Sequence, residues 1–228
     1  MACGSYPKTL VAALCAVVFG VTVRAIDQYG NASTYTGAKT VTWANPANSP
    51  GGTAPLYPGT ATSLTFANVS GQGVAVATGI NLYNALATTS LKVNETATSF
   101  NGTSANFVVN AAAPSAISWI NCTQPTSANT TCTGSPFSTG NNGTLQANIA
   151  LKDAYGNIAA ATSALTITLT SSSTTDYTVS PASVTIGVGA SQSNQFTVTP
   201  AKNNPALTTI TAHATTGGFA DKTRQVQK

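Results

Sequence analysis

Asp27-Gln28-Tyr29-Gly30-Asn31 returns as Asp153-Ala154-Tyr155-Gly156-Asn157, an offset of 126 residues. Each copy sets a carboxylate beside an asparagine amide and a glycine. Such a group can ligate calcium or close a turn. Calcium takes six to eight oxygens, several of them from carboxylates. The whole chain has 5 acids, Asp27, Glu95, Asp153, Asp176 and Asp221, so neither copy can build a dense cage. A turn asks for less. The aspartate accepts backbone N–H groups, glycine supplies positive φ, and asparagine tolerates the same left-handed region. Asp27, Gly30, Asn31, Asp153, Gly156 and Asn157 are therefore read as structural turn residues, with Tyr29 and Tyr155 packing over the domain ends. No metal or other cofactor is expected.

Other chemistry is sparse. The one histidine, His213 in "TITAHATT", shares a strand face with Thr211 and Thr215 and points outward. A hydrolytic triad needs a base beside its nucleophile and an acid to orient it. Glycosidases need paired carboxylates, yet two of the acids sit in turns of different domains. No phosphate loop, zinc-helix motif or EF-hand loop is present. Enzymatic activity is not expected. Cys122 and Cys132 flank the polar stretch "TQPTSANTT". A local disulfide there would contribute about 2–3 kcal/mol; the other reading is two free thiols. Cys3 and Cys15 lie in the N-terminal segment. Asn-x-Ser/Thr triplets at Asn31, Asn68, Asn94, Asn101, Asn121, Asn129 and Asn142 are close to chance frequency and matter only in a eukaryotic secretory pathway. The loop from Asn45 to Gly59 holds Pro46, Pro50, Pro55 and Pro58 together with Leu56 and Tyr57. Loops on rigid scaffolds often carry binding residues, so Leu56 and Tyr57 are candidate contacts to a ligand or a neighbouring module. An inter-sheet loop without binding function is the competing reading.

The elements that must hold these residues are strands. Charged residues are 6% of the 228, against about 25% in an average soluble protein. Thr and Val, which favour strands, alternate with Asn-, Gly- and Ser-rich turn segments. The net charge of +4 is scattered, with no basic–aromatic cluster of the kind a nucleic-acid groove requires. The apolar run Leu10–Val23 is too short to span a membrane. It reads either as the core of a secretory signal ending near Ala25 or, from Val17 to Ile26, as the strand entering the first turn.

The 126-residue offset also carries Thr40-Val41-Thr42-Trp43 onto Thr166-Ile167-Thr168-Leu169. Further on it drifts to about 120, matching Thr88–Asn110 with Leu207–Lys228. A repeat of this size is one domain. Two domains are expected, 17–111 and 112–228, behind an atypical segment 1–16 and joined at "NAAAPSA" (Asn110–Ala116). The first lacks a counterpart of the opening strand "AISWIN" and is expected to be incomplete at its start. In the second, strands are expected at Leu145–Lys152, Leu165–Thr170, Ser183–Gly187, Asn194–Pro200, Thr208–His213 and Thr223–Gln227. Strands at this spacing argue for a β-sandwich. Trp43, Trp119, Phe107 and Phe196 fall on strands as core residues.

The "DQYGN"–"TGAKTVTW" block, its echo "DAYGN"–"ALTITL" and the "AAAPSAISW" junction resemble the immunoglobulin-like repeats of bacterial surface proteins, of the invasin and intimin type. The resemblance implies an all-β fold of two tandem immunoglobulin-like sandwiches, displayed outside the cell as spacer or adhesive surface. Implied partners are neighbouring immunoglobulin-like modules and a surface glycan or protein ligand. A carbohydrate- or polymer-binding accessory module of a secreted enzyme is the alternative. Exposed coplanar aromatics on a sheet face would mark it.

Overall fold

The computed structural model describes residues 17–58, 62–123, 132, 136–139 and 143–228, and residues 12–14 through their backbone. All regular structure among these is strand. No helix among them is long and apolar enough to cross a membrane. The chain divides into two compact units. One takes in Met1–Ala112 with Tyr155–Asn157, the other Ala113–Ala154 with Ile158–Lys228.

The first unit contains β1 (Ala12–Leu14), β2 (Phe19–Arg24), β3 (Gly37–Ala44), β4 (Thr62–Val69), β5 (Gln72–Ile80), β6 (Leu86–Thr89), β7 (Lys92–Glu95), β8 (Asn101–Thr103) and β9 (Phe107–Asn110). They form a six-stranded sheet, β2-β5-β4-β3-β7-β8, and a three-stranded sheet, β1-β9-β6. The second unit contains β10 (Ala116–Thr123), β11 (Phe137–Ser138), β12 (Leu145–Lys152), β13 (Leu165–Ser171), β14 (Tyr177–Ser180), β15 (Ser183–Ile186), β16 (Phe196–Pro200), β17 (Thr208–Ala214) and β18 (Lys222–Gln227). Its sheets are β10-β12-β16-β14 and β11-β18-β17-β13-β15. Each unit is a β-sandwich of two sheets, and the fold is all-β.

Period-two alternation sends Leu64 and Phe66 of β4, and Ile167 and Leu169 of β13, inward, while the intervening threonines stay at the surface. Fully burying a Leu, Ile or Val side chain contributes about 1.5–3 kcal/mol. The second unit holds the larger continuous core, including Ile117, Trp119, Ile149, Tyr177, Phe196 and Ile210. Trp119 lies edge-on to Phe196, ring centroids 5.2 Å apart, and its Nε1 donates to the Lys222 carbonyl at 3.2 Å. The first unit splits its core into a cluster around Val23, Val41 and Phe66 and another around Ile80, Leu82 and Phe107.

The repeat is visible in backbone pairing. An antiparallel bridge closes each Asp-x-Tyr-Gly-Asn turn, Ile26 with Ala32 and Lys152 with Ile158. Val41 pairs Glu95 as Ile167 pairs Ala214, so the offset has fallen to 119 by that strand. In both units a short early strand runs parallel to a late one, β1 on β9 and β11 on β18. β1 thus takes the place of β11, whereas "AISWIN" is β10, paired with β12. Among the described residues β2 has β5 as its only partner and nothing stands where β10 stands. Phe19–Arg24, within the stretch with two readings, forms β2. β11 and β14 are not expected from the sequence. The first is two residues long, and the second lies between a Ser/Thr run and Pro181, where the alternation is too brief to register.

Candidate functional site

In the first turn, Asp27 Oδ1 accepts the amides of Tyr29 (2.8 Å) and Asn31 (2.9 Å), and Oδ2 accepts Asn31 Nδ2 (3.1 Å). The Asp27 amide donates back to the Asn31 carbonyl at 2.9 Å, and Gly30 sits at φ +87°. These bonds, the Asn31 side chain's first, hold the Asp27 carboxyl below its ordinary pKa. Both carboxylate oxygens are engaged in closing the turn. Tyr29 does not pack over the domain end; it is 79% exposed, because the closed turn projects it away from the sheet.

In the second turn the asparagine side chain has partners outside the turn. Gly156 again has positive φ, +82°. Asp153 and Asn157 are buried. Within the first unit, to which Tyr155–Asn157 belong, Asn157 Nδ2 donates to the Tyr83 carbonyl (2.8 Å) and Oδ1 accepts the Ala85 amide (2.9 Å). The Gly51 amide donates to the Tyr155 carbonyl at 2.8 Å, and the Tyr155 ring lies 4.7 Å from that of Tyr83.

The remaining acids serve turns or exposed pairs. Buried Glu95 accepts the amides of Ala97 (3.0 Å) and Thr98 (2.7 Å) and the Thr98 hydroxyl, and this hydroxyl is the main cause of its lowered pKa. Asp176 accepts Lys202 Nζ (2.6 Å), the Ser173 hydroxyl (2.6 Å) and the Ala206 amide (2.7 Å). Lys202 leads in holding its carboxyl far below the usual range. His213 Nδ1 lies 2.7 Å from Asp221 Oδ1, with both side chains about half exposed. Thr168 is the cross-strand partner of His213, but its hydroxyl donates to the His213 carbonyl (3.2 Å), so this hydroxyl is engaged with backbone and not with the ring. Among the described residues no three His, Cys, Asp or Glu side chains gather into a metal-binding group.

Leu56 and Tyr57 part company. The Leu56 backbone bridges Asn81 while its side chain is 53% exposed. Tyr57 turns inward to stack on Trp43, centroids 6.1 Å apart and planes 11° from parallel, and its hydroxyl donates to the Asn45 carbonyl. Burial pushes its pKa up to about 12. Cys122 and Cys132 form a disulfide, with Arg224 Nη2 donating to the Cys132 carbonyl at 2.8 Å. The expectations for Cys3, Cys15, Gly59, Asn129, Asn142 and residues 124–131 lie outside the described residues.

No protein-family model and no curated protein sequence matches the chain. Among solved structures it is similar to domains 1–6 of the surface layer protein SbsC, at 19% identity and a TM-score of 0.32 over 92% of this chain and 23% of that one. It is also similar to the D0-D1 domain of intimin, at 10% identity and a TM-score of 0.29 over 98% of this chain and 97% of that one. The chain thus spans about a quarter of the SbsC chain's length.

Proposed function

We propose that the chain is a non-enzymatic structural and adhesive module of a surface-displayed protein, whose sandwiches bear tension while loops make contacts. The observation that carries this is the parallel pairing of a short early strand of each unit with a late one, β1 with β9 and β11 with β18. Pulling such a pair from opposite ends slides the strands along each other. Their hydrogen bonds then share the load instead of opening one by one. The disulfide fits an oxidising, extracellular setting. The partners of this reading are neighbouring immunoglobulin-like modules and a surface glycan or protein ligand, reached through exposed Leu56. A carbohydrate platform of stacked rings has less support. Tyr29 is the one well-exposed aromatic residue among those described.

Single-molecule stretching from the two termini tests the mechanical part. Two separate force peaks are expected, one per sandwich, and smooth extension at low force would sink the reading. For the adhesive part, a chain deleted from Ser49 to Pro58 should lose attachment to a ligand-coated surface. Unchanged attachment would remove the loop's role.

A further inference from the structure

The two units differ at one interior position that the repeat makes comparable. The bond from Ser33 N to Ala25 O in the first unit has its counterpart from Ala159 N to Leu151 O in the second, both displaced by 126. The same offset places Tyr35 on Ala161. In the first unit the Tyr35 ring meets Phe66 edge-on (5.3 Å) and Phe100 (6.3 Å), with Lys39 Nζ 4.4 Å from its centre. Lys39 and Phe100 correspond to Leu165 and Phe219. In the second unit those two residues, with Ala161, Leu151 and Pro114, line a cleft of about 210 Å³ that carries Thr162 and Ser163. The cleft stands where an aromatic ring stands in the other unit.

We infer that this cleft is a binding site for a single aromatic ring of the phenol class. The size is adequate: an apolar cavity of about 150 Å³ accepts benzene. The walls are chemically suited. Leu151, Ala161 and Leu165 are buried apolar residues, and Leu165 removes the cation that its counterpart Lys39 contributes. The Phe219 ring packs against the core and lies over the Gly217 turn, where an added Cβ would come within 2.6 Å of it, so it offers an aromatic wall. Thr162 and Ser163 are exposed and can hydrogen-bond a phenolic hydroxyl while the ring fills the apolar floor. This site is independent of the load-bearing reading, since none of its residues belongs to β11 or β18.

The test is a ¹H–¹⁵N NMR titration of the full chain with p-cresol, and in parallel with the tripeptide Gly-Tyr-Gly. Saturable shifts are expected at the amides of Thr162, Ser163, Gly217 and Phe219 with p-cresol. Tighter binding of the tripeptide would assign the ring to a partner polypeptide, and weaker binding to a free small molecule. Ala161→Tyr supplies the ring covalently and should weaken binding by at least about tenfold while raising the melting temperature of the second unit. Should that variant not fold, Thr162→Trp at the exposed rim should obstruct the mouth with the same loss. Absence of saturable shifts at these amides with both probes, or equal binding by a folded blocking variant, would overturn the inference.

Discussion

The Cys122–Cys132 bond offers the sharpest quantitative test of how the second sandwich is held. The cysteines are 10 residues apart. Opening the tether returns loop-closure entropy to the unfolded chain, about 2.7 kcal/mol for a loop of that length at 25 °C. Reduction removes no sulfur atom and therefore reports mainly the tether. Cys122→Ala with Cys132→Ala also removes packed atoms. Cys122 is fully buried and Cys132 nearly so, and this should add about 1 kcal/mol for the space left behind. Denaturant melts of oxidised, reduced and double-alanine protein, followed by a probe in each unit, should resolve the series. Trp119 reports the second unit and Trp43 the first. The second transition should weaken by about 2.7 kcal/mol on reduction and further in the double variant. A thermal scan should show roughly 10–15 °C of loss for the reduction step. The first transition should not move. A change below about 0.5 kcal/mol on reduction would refute the entropic argument. It would mean that the reduced unfolded chain is already restricted at this loop.

Three further outcomes are expected. Gly30 and Gly156 share a left-handed backbone, so alanine at either should cost about 1–2 kcal/mol. Gly156→Ala should cost at least about 1 kcal/mol more, because its Cβ would come within 2.8 Å of the Gly51 amide whereas Gly30 has open space; equal losses in urea melts would contradict the geometry. The carboxyls of Asp27, Glu95 and Asp176 are depressed in the folded state, so the unfolded chain takes up protons first as pH falls. Stability should be fully present above about pH 5 and lost as pH drops through the lower folded-state values. Melting temperature against pH should show this limb, with Asp176→Asn flattening it in the second unit. Tyr57 has the opposite sign. Its pKa is raised to about 12, so the first unit should lose stability as pH climbs from about 10, where the unfolded phenol ionises, toward 12. Tyr57→Phe should abolish that limb, as fluorescence-detected melts in alkaline buffer would reveal.

The sequence made the turns and the long strands legible because their signals are local. Asp, Gly and Asn at fixed spacing encode a turn wherever they occur, and Thr-Val-Thr-Trp alternation encodes a half-buried strand. The bridges Ile26–Ala32 and Lys152–Ile158 are the structural form of that spacing. What could not be read depends on partners distant in sequence. Nothing near Ala12–Leu14 announces a parallel partner at Val108–Asn110. Tyr57 looks like an exposed loop aromatic until Trp43 is found beneath it. Asp176 gains its lysine from Lys202, in the Pro200–Pro205 segment. The cleft beside Ala161 has a faint sequence signal, the exchange of Tyr35 for alanine across the repeat. That exchange becomes informative only once Phe100 and Phe219 are known to stand beside the two positions.

The way the second unit's sheets end has a consequence for crowding. An open sheet edge is a template for another chain's backbone. Among the described residues, three of this unit's four edges are short. β11 spans two residues, and β14 and β15 four each. The one long edge, β10, breaks register between Ile120 and Thr123, where Asn121 takes φ +52°. Such a bulge twists the strand and interrupts its ladder. A foreign strand can form a few bonds along any of these edges before the pattern stops. Second units of many copies can therefore lie side by side at high density without annealing into continuous sheet along these edges.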